Sequence, residues 1–245
     1  MALAEAIPPT GSGAVALAAG VVVVIAAAVD LAEAVMAVAV NPELETSWQR
    51  CWPALGASGD GQQVMARLLD AYQEPQRKYH TAQHLAECLQ WWEACREQAE
   101  KPAEVEMSLW FHDAVYDVKG RDNEARSAAW AVQALREAGV SEESLGRISA
   151  LILATRHSVT PETSDQQLLV DIDLAILGAP RPRFDAYEAQ IREEYRWVPD
   201  ALYSDKRREV LAGFEARDAI YRTPRLYALL EAQARSNLAH ALSQL

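Results

Sequence analysis

Leu109-Trp110-Phe111-His112-Asp113-Ala114-Val115-Tyr116-Asp117 is the stretch on which the reading of this chain turns, because it sets an imidazole and a carboxylate side by side in otherwise apolar surroundings. His-Asp pairs are common at surfaces and in cores, so the company this one keeps decides its meaning. Upstream stands Tyr79-His80-Thr81-Ala82-Gln83-His84, and downstream stands Leu168-Leu169-Val170-Asp171-Ile172-Asp173-Leu174. A histidine, a His-Asp pair and an aspartate thus follow one another along the chain. Two imidazoles and two carboxylates form a borderline nitrogen and oxygen set, which suits Mn²⁺, Fe²⁺, Co²⁺, Ni²⁺ or Zn²⁺ better than Ca²⁺.

Around these strings the pattern is helical. Residues 61–73, 81–98, 123–138 and 142–154 carry apolar side chains at spacings of three and four, with charges between them. Pro53, Pro75, Pro102, Pro161, Pro180, Pro182, Pro199 and Pro224 fall between such segments as breakers. The run from Leu168 to Leu177 has the periodicity of a buried strand, but as a helix closed by Gly178 it fits the helical context better. Trp91, Trp92 and Trp130 lie in helical segments and are expected to pack in the core.

Composition narrows the class. A chain of 245 residues, 50% hydrophobic, is long enough for one sizeable core. Its formal charge of -12 argues against a nucleic-acid polymer as partner, because neutralising phosphates needs a basic surface. A small anionic substrate stays compatible with a locally positive pocket. Cys51, Cys88 and Cys95 form no Cys-x-x-Cys pair, so neither a disulfide framework nor a zinc ribbon is indicated, and a reducing cytoplasm fits best.

The N-terminus is set apart. Residues 1–40 form an Ala/Val-rich extension ahead of a domain at 41–245, and residues 11–29 carry no charge. That length approaches a membrane span, yet no Lys or Arg precedes Arg50, so the positive flank of an anchor is missing. A membrane helix, a helix packed on the domain and an unstructured extension are the alternatives. Gly11-Ser12-Gly13-Ala14 half-matches a dinucleotide fingerprint, but it follows Pro8-Pro9 rather than a strand.

The motifs extend further than the ligand set. Glu74-Pro75, Arg77, Tyr79-His80, His84, Trp110-Phe111-His112-Asp113, Asn123-Glu124, Ser127-Ala128, Ala154-Thr155, His157, Asp171-Ile172-Asp173-Leu174-Ala175-Ile176-Leu177-Gly178 and Ile191-Arg192-Glu193-Glu194-Tyr195 together resemble the HD superfamily of metal-dependent phosphohydrolases. Within it they look like a bacterial branch of predicted phosphohydrolases. The resemblance spans roughly residues 42–238. It departs from the branch at Lys206-Arg207, where Gly-Arg is commoner, and at His240, where relatives tend to be acidic.

The resemblance implies an all-α fold, an HD-domain helical bundle, with the hydrophobic N-terminal segment as an extra. It makes His84, His112, Asp113 and Asp173 the ligands of one or two divalent ions (Mn, Fe, Co, Ni, Zn or Mg), with Asp171 as the fallback for Asp173. His80, four residues before His84, would share its helix face and reach the substrate, or else cap the helix. Glu124 is the first candidate to orient a metal-bound water and Asp117 the second. His157 would meet a leaving oxygen or a second metal, unless it faces solvent. Arg77, Arg192 and Arg207, with His80, are the candidates for binding phosphate, since guanidinium forks match its geometry, although ion pairing is their ordinary role.

The implied activity is hydrolysis of a phosphate ester, a nucleotide or other small phosphorylated metabolite, by a chain free to form a homo-oligomer. A di-iron oxygenase of the kind some HD relatives resemble is one alternative, and a metal-bearing regulatory protein with little turnover is another.

Overall fold

A computed structural model of the chain describes residues 42–157 and 160–245, and every regular element among them is helical. In chain order these are α1 (Pro42–Ala54), α2 (Gln62–Ala71), α3 (Ala82–Cys95), α4 (Pro102–Phe111), α5 (Asn123–Glu137), α6 (Glu142–Ala154), α7 (Ser164–Asp173), α8 (Arg181–Glu194), α9 (Asp200–Glu215) and α10 (Pro224–Gln244). Short 3₁₀ turns, Arg96–Gln98 and Leu174–Gly178, extend α3 and α7. The all-α expectation holds. The N-terminal extension, with residues 11–29, lies outside the described residues, and none of the described helices is long and apolar enough to cross a membrane.

The centre of the bundle is α4, which is buried from Glu104 to Phe111 without a solvent face. A helix hydrophobic all round must be covered all round, and α3, α5, α6 and α7 pack against it. Its two buried acids are matched rather than stranded, since Arg147 forks onto Glu104 at 2.6 and 2.7 Å while Ser47 and Arg50 hold Glu106. Trp110 lies edge-on to Trp48, which stacks on Trp52, so α1 is locked to the same core. Trp92 is fully buried as expected, whereas Trp91 lines a cavity and Trp130 lies under Arg67.

Prolines act at first turns as well as between helices. Pro102 and Pro224 sit at the starts of α4 and α10, where a missing N–H costs nothing. Pro53 lies inside α1, near its end.

The run around Asp173 is helical, not a strand. Thr163 and Gln166 form a capping box that starts α7, and the helix tightens into the 3₁₀ turn ending at Gly178. A Cβ on Gly178 would meet the Leu230 carbonyl at 2.9 Å, so the glycine is what lets this turn approach α10. The three cysteines are free and buried.

Candidate metal centre

Three helix ends bring the donors together. His84 stands in the first turn of α3, which Thr81 starts by accepting the Gln83 N–H on its hydroxyl. His112 and Asp113 follow directly on the last residue of α4, and Asp173 is the last residue of α7. His84 Nε2 lies 3.1 Å from His112 Nε2, 3.5 Å from Asp113 Oδ2 and 3.3 Å from Asp173 Oδ1. His112 Nε2 lies 3.1 Å from Asp113 Oδ2 and 3.6 Å from Asp173 Oδ1. An ion bound at about 2.1 Å holds neighbouring ligands roughly 3.0–3.4 Å apart, so these separations fit a single divalent cation.

The protonation pattern fits as well. His112 Nδ1 faces the Leu109 carbonyl at 2.8 Å, and a carbonyl can only accept, so the proton sits on Nδ1 and Nε2 offers its lone pair. Burial opposes charge on His112, Asp113 and Asp173. For Asp113 the facing His112, His80 and His84 outweigh it, and for Asp173 the hydrogen bonds of His112, His157 and His84 do. Both carboxyls are held well below the usual carboxylate range. The same two carboxylates overcome burial of the His112 ring and raise its pKa well above the ordinary value. Without a cation the His112 ring holds a proton that a cation would replace.

Cys88, one turn after His84 on α3, belongs to the same cluster. Its sulfur, with donor atoms of His84, His112 and Asp173, falls within a 4.8 Å group that could hold a metal ion. Yet Sγ is 3.7 Å from both ring nitrogens of His84. An atom equidistant from the two lies beside the ring, whereas a ligand sharing a metal with Nε2 lies much nearer Nε2. Burial also pushes the thiol well up, away from the thiolate a metal would need. Asp113 is therefore the better placed fourth donor. The signal for Cys88 in the sequence is its spacing of four from His84, which puts the two on one face of α3.

Asp171 is not an alternative ligand. Its carboxylate accepts the Arg222 and Thr223 N–H groups and the Thr223 hydroxyl at 2.6–3.0 Å, securing the entry into α10. Residues two apart leave a helix in different directions, so Asp173 points to the histidines and Asp171 away. Asp173→Asn is expected to lose bound metal with little change in melting temperature. Asp171→Ala should keep the metal and lose about 1–3 kcal/mol of stability, as unmet buried N–H groups cost; the reverse pattern in metal analysis and melting would exchange the two assignments.

The other predicted residues divide. Asp113, Asp173, His157, Glu124, His80 and Arg207 line one cavity of about 760 Å³. Glu124, in the first turn of α5, has its carboxylate 3.8 Å from Arg156. His157 adopts a left-handed backbone (φ 54°) and sets Nε2 3.1 Å from Asp173 Oδ2. Its Nδ1 is buried with no hydrogen-bond partner among the described residues.

Asp117 is exposed and closes the loop after the His-Asp pair, where Asn123 bonds both its N–H and its carbonyl. It does not line the cavity. Nor does Arg77, whose buried guanidinium donates to the carbonyls of Asp113 (2.6 Å), Ala114 (3.0 Å) and His80 (3.1 Å) and to Glu74 (3.1 Å). With four of its five N–H donors spent on these carbonyls and on Glu74, and its guanidinium outside the cavity, it is placed to brace the chain rather than to bind phosphate. Arg192 likewise holds the carbonyls of Tyr195 and Val198 and the Asp200 carboxylate. Arg207 reaches the cavity wall, but Glu188 holds its guanidinium over Tyr187.

His80 precedes α3 and so does not share a helix face with His84. Its Nδ1 meets Glu194 Oε2 at 2.8 Å, and its ring stacks on Tyr116. Glu194 is the residue that sequence reasoning undervalued. Oε1 accepts the N–H groups of Lys78, Tyr79 and His80 at 2.7–3.1 Å, and Oε2 also accepts the Tyr116 hydroxyl at 2.7 Å. It fixes the approach to His84 and the strand of chain after Asp113 at once.

No protein-family model, no curated protein and no solved structure matches this chain.

Proposed function

We propose that this protein is an HD-type metal-dependent phosphohydrolase that cleaves small phosphate esters. What carries the reading is the convergence of His84, His112, Asp113 and Asp173, from three helix ends, on one point with the spacing of ligands around one divalent ion. A bound ion of the series Mn, Fe, Co, Ni, Zn or Mg would supply a water of lowered pKa and polarise a phosphoryl oxygen.

The side chains do the rest. Asp113 and Asp173 bring two negative charges that match a dication, and the Leu109 carbonyl keeps the His112 lone pair directed inward. Glu124, on the same cavity wall, orients the attacking water, and His157, held against Asp173, meets the leaving oxygen. Arg77 positions rather than binds, since it fixes the carbonyls of Asp113 and Ala114.

A second reading has one observation behind it. Asp173 turns Oδ1 to His84 and His112 but Oδ2 to His157, which is the posture of a carboxylate shared between two cations. Two irons there would suit an oxygenase. About two irons per chain and a coloured protein would favour it.

The test is phosphate release from a panel of nucleotides and sugar phosphates by chelator-stripped protein, with Mn²⁺, Mg²⁺, Co²⁺, Ni²⁺, Zn²⁺ or Fe²⁺ restored singly. Release that depends on the ion is the expected result. Bound metal with no release from any ester would overturn the proposal and leave the oxygenase or a binding protein.

A further inference from the structure

The cavity extends well beyond what a phosphate group needs. At about 760 Å³ it is sized for a whole small molecule, and its outer wall differs in character from the cluster end. One side of that wall is the loop after the His-Asp pair, where Lys119 and Arg121 flank Gly120. The loop has a fixed shape, because Gly120 N–H bonds the Asp117 carbonyl at 2.9 Å and Asn123 clasps Asp117 from the far end. A Cβ on Gly120 would lie 2.9 Å from the Asn123 side-chain oxygen, so the turn is also tight.

The other side runs from Trp197 into α9. Trp197, Leu202 and Val210 are 50%, 50% and 49% exposed, and all three line the cavity. Large apolar side chains left that open along a cavity mark a contact surface.

Charge on this wall runs against the charge of the molecule. The formal net charge is -12, yet the acids lining the cavity are Asp113, Glu124 and Asp173, and two of these belong to the metal cluster. Against them stand Lys119, Arg121, Lys206 and Arg207. Glu188 holds Arg207 and Glu209 meets Lys206. Arg121 makes no ion pair with any described residue. Lys119, whose backbone N–H bonds the Asp117 carboxylate, sets its ammonium 5.0 Å from the Trp197 ring centroid and makes no ion pair with any described residue.

We infer that this outer wall selects the leaving group, and that the substrates are phosphate esters whose leaving group carries a flat ring and a second anionic group. The ring lies on Trp197 between Leu202 and Val210, and the second anion meets Lys119 and Arg121. The inference rests on the phosphohydrolase reading and names its substrate class. At the cluster end a bound metal would itself offset the charge of the scissile phosphate, which leaves the cavity's cations for the second anion.

The experiment compares kcat/KM of the full-length, metal-loaded protein on a nucleoside bisphosphate, on p-nitrophenyl phosphate and on glycerol phosphate, which carry ring and second anion, ring alone, and neither. The bisphosphate is expected to be the best of the three by a wide margin. Trp197→Ala, and separately the pair Lys119→Ala with Arg121→Ala, should lower its advantage over glycerol phosphate about tenfold, through KM, as loss of one stacking or charged contact does. These side chains are exposed, so their removal leaves the core intact. Equal kcat/KM on the three esters, or variants that keep the advantage, would overturn the assignment. If no ester is hydrolysed, the phosphohydrolase reading has failed, and calorimetric titration of the bisphosphate decides the wall by itself. Binding that weakens about tenfold in Trp197→Ala supports it, and no binding overturns it.

Discussion

Asp113→Ala is expected to reduce metal-dependent phosphate release by about a thousandfold or more and to strip the metal, with the fold left standing. Oδ2 of Asp113 is within 3.5 Å of both cluster imidazoles, so its loss removes a donor and one of two negative charges facing the ion. Removing a group that acts directly on the reacting centre costs several orders of magnitude, where a supporting contact costs roughly ten to a hundredfold. The fold is spared because the part of Asp113 that braces the turn is its backbone carbonyl, held by Arg77, and not its side chain. Melting within a few degrees of the parent, with metal content near zero, is the expected pair of results. Parental turnover in the variant would refute the site.

The same electrostatics give the metal affinity a direction in pH. The His112 pKa is raised well above its ordinary value by Asp113 and Asp173, against burial, so the ring keeps its proton to a higher pH than a free imidazole. Metal binding must displace that proton, and affinity in the parent therefore rises with pH.

What the chain disclosed beforehand was periodicity and donor chemistry. The three- and four-residue spacing of apolar side chains gave α2, α3, α5 and α6 within a few residues, since that spacing is the same whether or not the partner helices are known, whereas α4, buried all round, has no polar face to set a period. His84, His112, Asp113 and Asp173 are singled out by the resemblance of their order to that of the HD superfamily, and residue type alone leaves Asp171 and Asp173 open. The long cations could not be placed in the same way. Arg77, Arg192 and Arg207 have the fork that grips phosphate, but a fork grips carbonyls and carboxylates equally well, and each of these three does so. Asp171 and Asp173 differ only in the direction each leaves α7, which depends on where that helix turns into 3₁₀ geometry. His80 looked like a helix-face partner of His84 because nothing in the spacing reveals that Thr81 caps the helix one residue later. Glu194 stands in the string Ile191 to Tyr195, but its role could not be read there, for its donors lie more than seventy residues away along the chain.

Glu194 is where the second large effect is expected. Its carboxylate is buried and takes hydrogen bonds from three consecutive backbone N–H groups, from the His80 ring and from the Tyr116 hydroxyl. Glu194→Ala would strand those donors in the interior, at a cost of about 3–5 kcal/mol, a large share of the stability of a domain this size. Activity should fall with it, since the segment from Lys78 to His80 leads directly into the helix carrying His84, and Tyr116 follows Asp113 by three residues. Glu194→Gln separates charge from shape. It keeps an oxygen for the backbone donors but turns an amide N–H₂ toward the Tyr116 hydroxyl and His80, so an intermediate loss is expected. Acid should act on the parent through the same group. Burial works to raise the Glu194 pKa, but the His80 ring, the Lys78 N–H and the Tyr116 hydroxyl prevail and hold it at about 2. An unfolded glutamate titrates near 4.3, so below that pH the unfolded chain binds a proton that the folded chain refuses. Stability from this carboxylate, on the order of 3 kcal/mol, is complete above the unfolded value and drains away as pH falls from about 4.3 toward 2. Denaturant midpoints measured across that interval should drop more steeply for the parent than for Glu194→Gln, which has no proton to gain. Parallel curves would mean that Glu194 titrates normally and that the five contacts do not hold it as an anion.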